Sequence, residues 1–114
     1  MLNLTEIRDR LMNNDDLVKE VIDIFMEDTP ARLVALRASL SSGDMENATL
    51  QSHSIKGAAA TVSAERMREV ALDMEKACRE GVDADHVMSM LPSLEREFEE
   101  LKLFVGNMGR SAAA

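Results

Sequence analysis

The stretch Ala48-Thr49-Leu50-Gln51-Ser52-His53-Ser54-Ile55-Lys56-Gly57-Ala58-Ala59-Ala60-Thr61-Val62 decides how this chain is read. At the helical period Ala48, Ile55, Ala58, Ala59 and Val62 gather on one face. His53 points away from that face, and Lys56 at i+3, Gly57 at i+4 and Ala60 at i+7 share its side. An imidazole is thus held out to solvent, with a cation one turn away and little bulk beside it. That arrangement builds a core poorly and offers a nitrogen to another protein well.

Composition sets the frame around this helix. The chain has 114 residues, which suits one domain, and 46% of them are apolar. Aromatic residues make up 3%, with no Trp and no Tyr, so the core must come from Leu, Val, Ile, Ala and nine Met. Five Gly, two Pro and the absence of alternating polar and apolar runs favour helices over sheet. The net charge of −8 argues against nucleic acid or an anionic membrane as partner, because both need a basic patch. One Cys leaves no internal disulfide framework and fits a reducing compartment. No stretch reaches the roughly 20 apolar residues of a membrane span. The N-terminus lacks the basic and apolar regions of a signal peptide, so the expected location is cytoplasmic.

Working outward, the apolar pattern predicts a short helix over residues 4–12, then a break at Asn13-Asn14-Asp15 with capping residues. A long helix is expected over 16–41, with Leu17, Val18, Val21, Ile22, Phe25, Leu33, Leu36 and Leu40 as its apolar positions and a kink at Pro30. Ser41-Ser42-Gly43 stops it, and Asp44 caps a third helix over 44–61. Ser63 is placed to cap a fourth over 64–79, whose stripe is Met67, Val70, Ala71, Met74 and Cys78. Cys78 on that stripe reads as a buried, inert thiol. Gly81 ends the fourth helix, and a fifth is expected over 84–105, with Pro92 as a second point of bending. The fold class is therefore all-α: an antiparallel four-helix bundle with a short additional N-terminal helix. Residues 1–110 form a single helical-bundle domain in this reading, and 111–114 a disordered tail or appended remnant.

Most helical histidines have no function, and His86 reads that way, near a helix start with no clustered partner. His53 differs because of its neighbours. Gly57 in mid-helix costs about 1 kcal/mol against Ala, and it points outward, so close approach by an outside partner explains it better than internal packing. The Lys56 ammonium can reach a phosphoryl group on the ring and offset its charge. A neutral imidazole is a competent nucleophile, and phosphoryl transfer mainly needs in-line access and electrostatic stabilisation.

His53-Ser54-Ile55-Lys56-Gly57-Ala58-Ala59 resembles the H-x-[LI]-K-G-[SAG]-[SA] signature of histidine-containing phosphotransfer domains, the HPt family. Phe25 through Leu33 is similar to the stretch before the kink of that family's long helix, Ser42-Gly43-Asp44 to its usual turn, and Met67 through Glu75 to its following helix. The resemblance spans residues 17–104. It departs at Ser63, where the family often has Gly, and at Thr61, where it often has Asn.

The resemblance implies that His53 is the phosphoacceptor, that Lys56 stabilises the phosphoryl group, and that Gly57 leaves room for the partner. It implies a phosphorelay intermediate that takes a phosphoryl group from a receiver-domain aspartate and passes it to another receiver. Response-regulator receiver domains are then the partners, with a hybrid histidine kinase as a further one. Thr49, Leu50 and Ala60 are the expected docking residues around the histidine. The chain is a covalent phosphoryl carrier and not an enzyme, because it has no Gly-rich nucleotide loop, no acidic metal cluster and no length for an ATP site. No cofactor and no metal are expected in the chain itself, Mg²⁺ being brought by a receiver, and a monomer is expected. The competing readings are the phosphoacceptor domain of a chemotaxis-type histidine kinase, a non-phosphorylated helical adaptor, and a metal-binding bundle. The last lacks paired Glu-x-x-His spacing.

Overall fold

The computed structural model describes residues 2–113, with side-chain surroundings described as far as Met108. It contains α1 (Leu4–Arg10), α2 (Asp15–Ser42), α3 (Met45–Thr61), α4 (Glu65–Arg79) and α5 (Ala84–Ala113), and no strand among the described residues. Side-chain caps start the first three helices. Asn3 accepts from the Glu6 amide, Asn14 from the Leu17 amide and Asp44 from the Asn47 amide. α1 stops at Arg10, two residues earlier than expected, because Met12 and Asn13 turn left-handed with φ of 55° and 58°. α2 runs unbroken through Pro30, whose exposed position puts the lost backbone bond on the solvent side. α5 continues past the expected end at Val105 to Ala113, so the helix covers residues 111–113 and Ala114 lies outside the described residues.

Each long helix packs on two neighbours. α3 lies against α4 and α2, and α5 lies against α4 and α2, which closes an antiparallel ring of four. The core is aliphatic, as the composition requires. Ile22, Leu36, Ile55, Met67, Met74, Leu91, Leu94 and Leu101 are buried together, and Phe25 meets Phe98 at a ring separation of 5.9 Å between α2 and α5. The buried stripe of α2 is Val18, Ile22, Phe25, Thr29, Leu33, Leu36 and Leu40. Leu17, expected on it, is exposed instead because it stands about 100° around the helix from Val18. α1 closes one end of the bundle, with Leu2 and Ile7 buried.

α2 and α3 end alike. After α2, the Asp44 amide bonds Ser39 O and the Gly43 amide bonds Leu40 O, with Gly43 at φ 74°. After α3, the Ala64 amide bonds Ala59 O and the Ser63 amide bonds Ala60 O, with Ser63 at φ 53°. Ser63 thus terminates α3 and does not cap α4, whose start at Ala64 has no side-chain cap. Its hydroxyl is turned toward α1, where it donates to Glu6 Oε1 at 3.2 Å and accepts from Arg10 Nη2 at 2.7 Å. The left-handed backbone explains why glycine is common at this position in sequences of this pattern.

Candidate functional site

α3 places His53 halfway along its length, on the face opposite Ala48, Ile55, Ala59 and Val62, all of which are buried. The expected geometry holds there: the His53 side chain is 58% exposed. What the sequence reading did not anticipate lies beneath it. Glu75 of α4 is buried, with its side chain 1% exposed, and His53 Nδ1 lies 3.0 Å from its Oε2. Lys56 Nζ lies 2.8 Å from Oε1 and Arg79 Nη2 lies 2.7 Å from Oε2. The Lys56 approach is an ion pair rather than an aligned hydrogen bond, so Oε1 keeps an unused lone pair.

One carboxylate therefore organises three groups, and electrostatics explains how it can stay charged out of water. Burying a lone carboxylate costs several kcal/mol, roughly, even after relaxation. Burial alone pushes the Glu75 carboxyl up, but the pull of Lys56, His53 and Arg79 outweighs it and holds the group below its ordinary value. An ionised carboxylate can only accept, so the Nδ1 beside it carries the ring proton and donates. Nε2 is then the nitrogen with the free lone pair, and among the described residues it has no hydrogen-bond partner.

Lys56 is half-buried at 24% exposure, not fully outward as the face count placed it. It leans on Glu75 while keeping a path to solvent beside the ring. Gly57 is open: a Cβ built there meets nothing within 4 Å. No internal packing requires this glycine, which leaves the solvent side as the reason for it.

Of the expected docking residues, Leu50 is well exposed at 60%. Ala60 is half-buried, and its carbonyl accepts from Arg10. Thr49 is half-buried toward α4: its hydroxyl donates to Met45 O at 2.8 Å and lies beside Cys78. Cys78 is buried, and burial pushes its thiol up, which keeps it protonated and unreactive. His86 is exposed at the start of α5, where its amide bonds Asp83, and among the described residues its ring has no ion-pair partner.

A groove of about 250 Å³ runs beside the site between α2 and α3, with Val21, Ile24, Phe25, Ala58, Thr61 and Val62 in its lining. Ile24 is half-exposed on its rim. The groove joins the histidine's face through Thr61, whose hydroxyl donates to Gly57 O at 3.0 Å. Neither this groove nor the Glu75 and Arg79 pair was singled out from the sequence. A signal for Glu75 exists: it stands at i+4 from Ala71 and i−3 from Cys78, a carboxylate on the apolar stripe.

The four-helix bundle thus carries an outward imidazole, oriented from below by a buried carboxylate and flanked by cations, with one ring nitrogen left free among the described residues. Residues 20–104 match the family model of the Hpt domain, and the chain belongs to that family. The phosphorelay intermediate protein rdeA of Dictyostelium discoideum is 29% identical over 82 residues, which is 72% of this chain and 32% of that protein. The chain thus spans about a third of that relative's length. The crystal structure of histidine-containing phosphotransfer protein B from Pseudomonas aeruginosa superposes with a TM-score of 0.86, at 22% identity, over 96% of this chain and 95% of that one. The HPT domain of a Shewanella sensor hybrid histidine kinase gives 0.82, at 14% identity, over 99% and 97%. The last two show the shared fold.

Proposed function

We propose that this chain is a phosphorelay intermediate. His53 Nε2 attacks the aspartyl phosphate of a receiver domain, a P–N bond forms as the P–O bond to the aspartyl carboxylate breaks, and a second receiver later takes the group by the reverse chemistry. The observation that carries the reading is the 3.0 Å contact between His53 Nδ1 and the buried Glu75 carboxylate beneath a ring that is 58% exposed. It fixes the tautomer that leaves Nε2 nucleophilic and gives a partner access to it.

The remaining residues fit roles in the same step. Glu75 positions the ring and takes up positive charge that develops on it as the P–N bond forms. Lys56 and, beside it, Arg79 supply positive charge next to the incoming phosphoryl oxygens; both are anchored on Glu75 and both reach solvent. Gly57 keeps the ring's flank clear for the receiver's loops. The receiver docks over Leu50, Gly57 and the α2–α3 groove, an apolar strip continuous with the histidine. Thr49 is left out of this surface, because it turns toward α4. The chain acts in the cytoplasm as a monomer and carries the phosphoryl group without a kinase site of its own.

Incubation with a radiolabelled phospho-receiver tests the reading. Label appears on the wild type and not on His53→Gln, and equal labelling of both defeats the assignment. Replacing the receiver by an ATP-loaded kinase domain separates this reading from that of a chemotaxis-type phosphoacceptor.

A further inference from the structure

α1 lies outside the stretch that matches the Hpt family model, yet it grips the far end of the histidine's helix. The Arg10 guanidinium reaches across the fold to donate to Ala60 O at 3.0 Å, Thr61 O at 2.8 Å and Ser63 Oγ at 2.7 Å. Ser63 Oγ donates in turn to Glu6 Oε1, and the Asn3 backbone amide donates to Ser63 O at 3.1 Å. α3 has no basic residue in its own last turn, so Arg10 supplies from outside the cation that a helix C-terminus favours. The carbonyls it meets lie in the final turn, where orphan acceptors collect.

The backbone marks the same seat. Among the described residues, three non-glycine positions have positive φ: Met12, Asn13 and Ser63. Two form the link from α1 to α2 and the third is the turn that Arg10 holds. Strained conformations persist where surrounding contacts over-determine them, and both flank α1.

We infer that Arg10 is a positioning residue for receiver docking. It fixes the last turn of α3, where Thr61 and Val62 form one wall of the groove and Thr61 in turn bonds Gly57 O on the histidine's flank. α1 is then a clamp that holds the docking strip in register while touching neither phosphoryl group nor imidazole. The inference rests on the relay reading above, since it concerns the surface that the receiver uses.

The test compares the 114-residue chain with its Arg10→Ala and Arg10→Lys variants in transfer from a phosphorylated receiver at varied receiver concentration. Losing about one hydrogen bond's worth of positioning raises KM roughly fivefold in Arg10→Ala, with kcat within about twofold. Arg10→Lys falls between, because one ammonium cannot span two carbonyls and a hydroxyl. Amide exchange at Val62 and Ser63 speeds up in Arg10→Ala, while α4 stays protected. Labelling of His53 by phosphoramidate, which needs no docking surface, reports the fraction of competent protein in each sample. An unchanged KM in Arg10→Ala overturns the inference alone. So does a fall in transfer that tracks the phosphoramidate-competent fraction, because that is simple unfolding. A wild type that phosphoramidate labels but no phospho-receiver does overturns the relay reading and takes this inference with it.

Discussion

Replacing Glu75 by Ala is the sharpest perturbation of the site. The change deletes the acceptor of the His53 Nδ1 proton and the anchor of Lys56 and Arg79 at once. A hydrogen bond to a charged group is worth about 1.5–3 kcal/mol, and the ring's 58% exposure puts this one near the lower end. That energy corresponds to roughly a tenfold bias in tautomer population. Without it the ring relaxes toward the Nε2–H form that free imidazole prefers, and the ratio of the two tautomers shifts against a nucleophilic Nε2 by about that factor. Because a population saturates where a ratio does not, the rate of phosphoryl transfer to His53 is expected to fall several-fold, by about tenfold at most. Stability moves less. Removing one partner of a sealed ion pair costs about 3–5 kcal/mol, but here Arg79 is 62% and Lys56 24% exposed, so both cations can turn to water. A loss of about 1–2 kcal/mol follows, and the variant stays folded. Ring ¹⁵N shifts of neutral His53, recorded beside transfer rates, read the tautomer directly. A folded Glu75→Ala with the wild-type tautomer ratio, or with undiminished transfer, refutes the argument that the carboxylate sets the reactive nitrogen.

Gly57→Ala should raise thermal stability, because a Cβ there meets nothing within 4 Å and the helix gains about 1 kcal/mol of propensity. Calorimetry should show a rise of a few degrees, and Gly57→Gln should weaken receiver transfer without loss of helix; a destabilised Gly57→Ala would mean that the glycine serves internal packing. Glu75 is held below its ordinary value of 4.5, so its share of stability is fully present above that pH and is lost as pH falls through the lower folded value. Urea midpoints of wild type and Glu75→Gln should therefore converge as pH drops from neutrality past 4.5, and a gap that stays constant would show that the ionised carboxylate contributes nothing.

Much of the bundle was legible because apolar spacing speaks for whole helices. The stripe of Met67, Ala71, Met74 and Cys78 and the stripe of Leu91, Leu94, Phe98 and Leu101 are both buried as the period requires. The outward His53 followed from the same count on α3. The misses share a cause: they depend on side chains brought together from distant parts of the chain. Glu75 is 22 residues from His53, and a charge on an apolar stripe is read as an interruption until its partners are seen on the next helix. Ser63 looked like a cap for α4 because a hydroxyl before a helix usually is one. Its left-handed backbone and the guanidinium from α1 assign it to the end of α3 instead. Leu17 shows the finer limit, since a neighbour of a buried position in sequence is a quarter-turn from it in space.

His53 sits in the middle of a continuous helix, on an open face, with no segment folded over it among the described residues. Nothing in such a site distinguishes loading from unloading. A group accepted there is as reachable for the protein that delivered it as for the one meant to receive it. In the proposed relay, the domain is then a two-way coupler without a ratchet, and the direction of flow belongs to the relative transfer potentials and abundances of the receivers it meets.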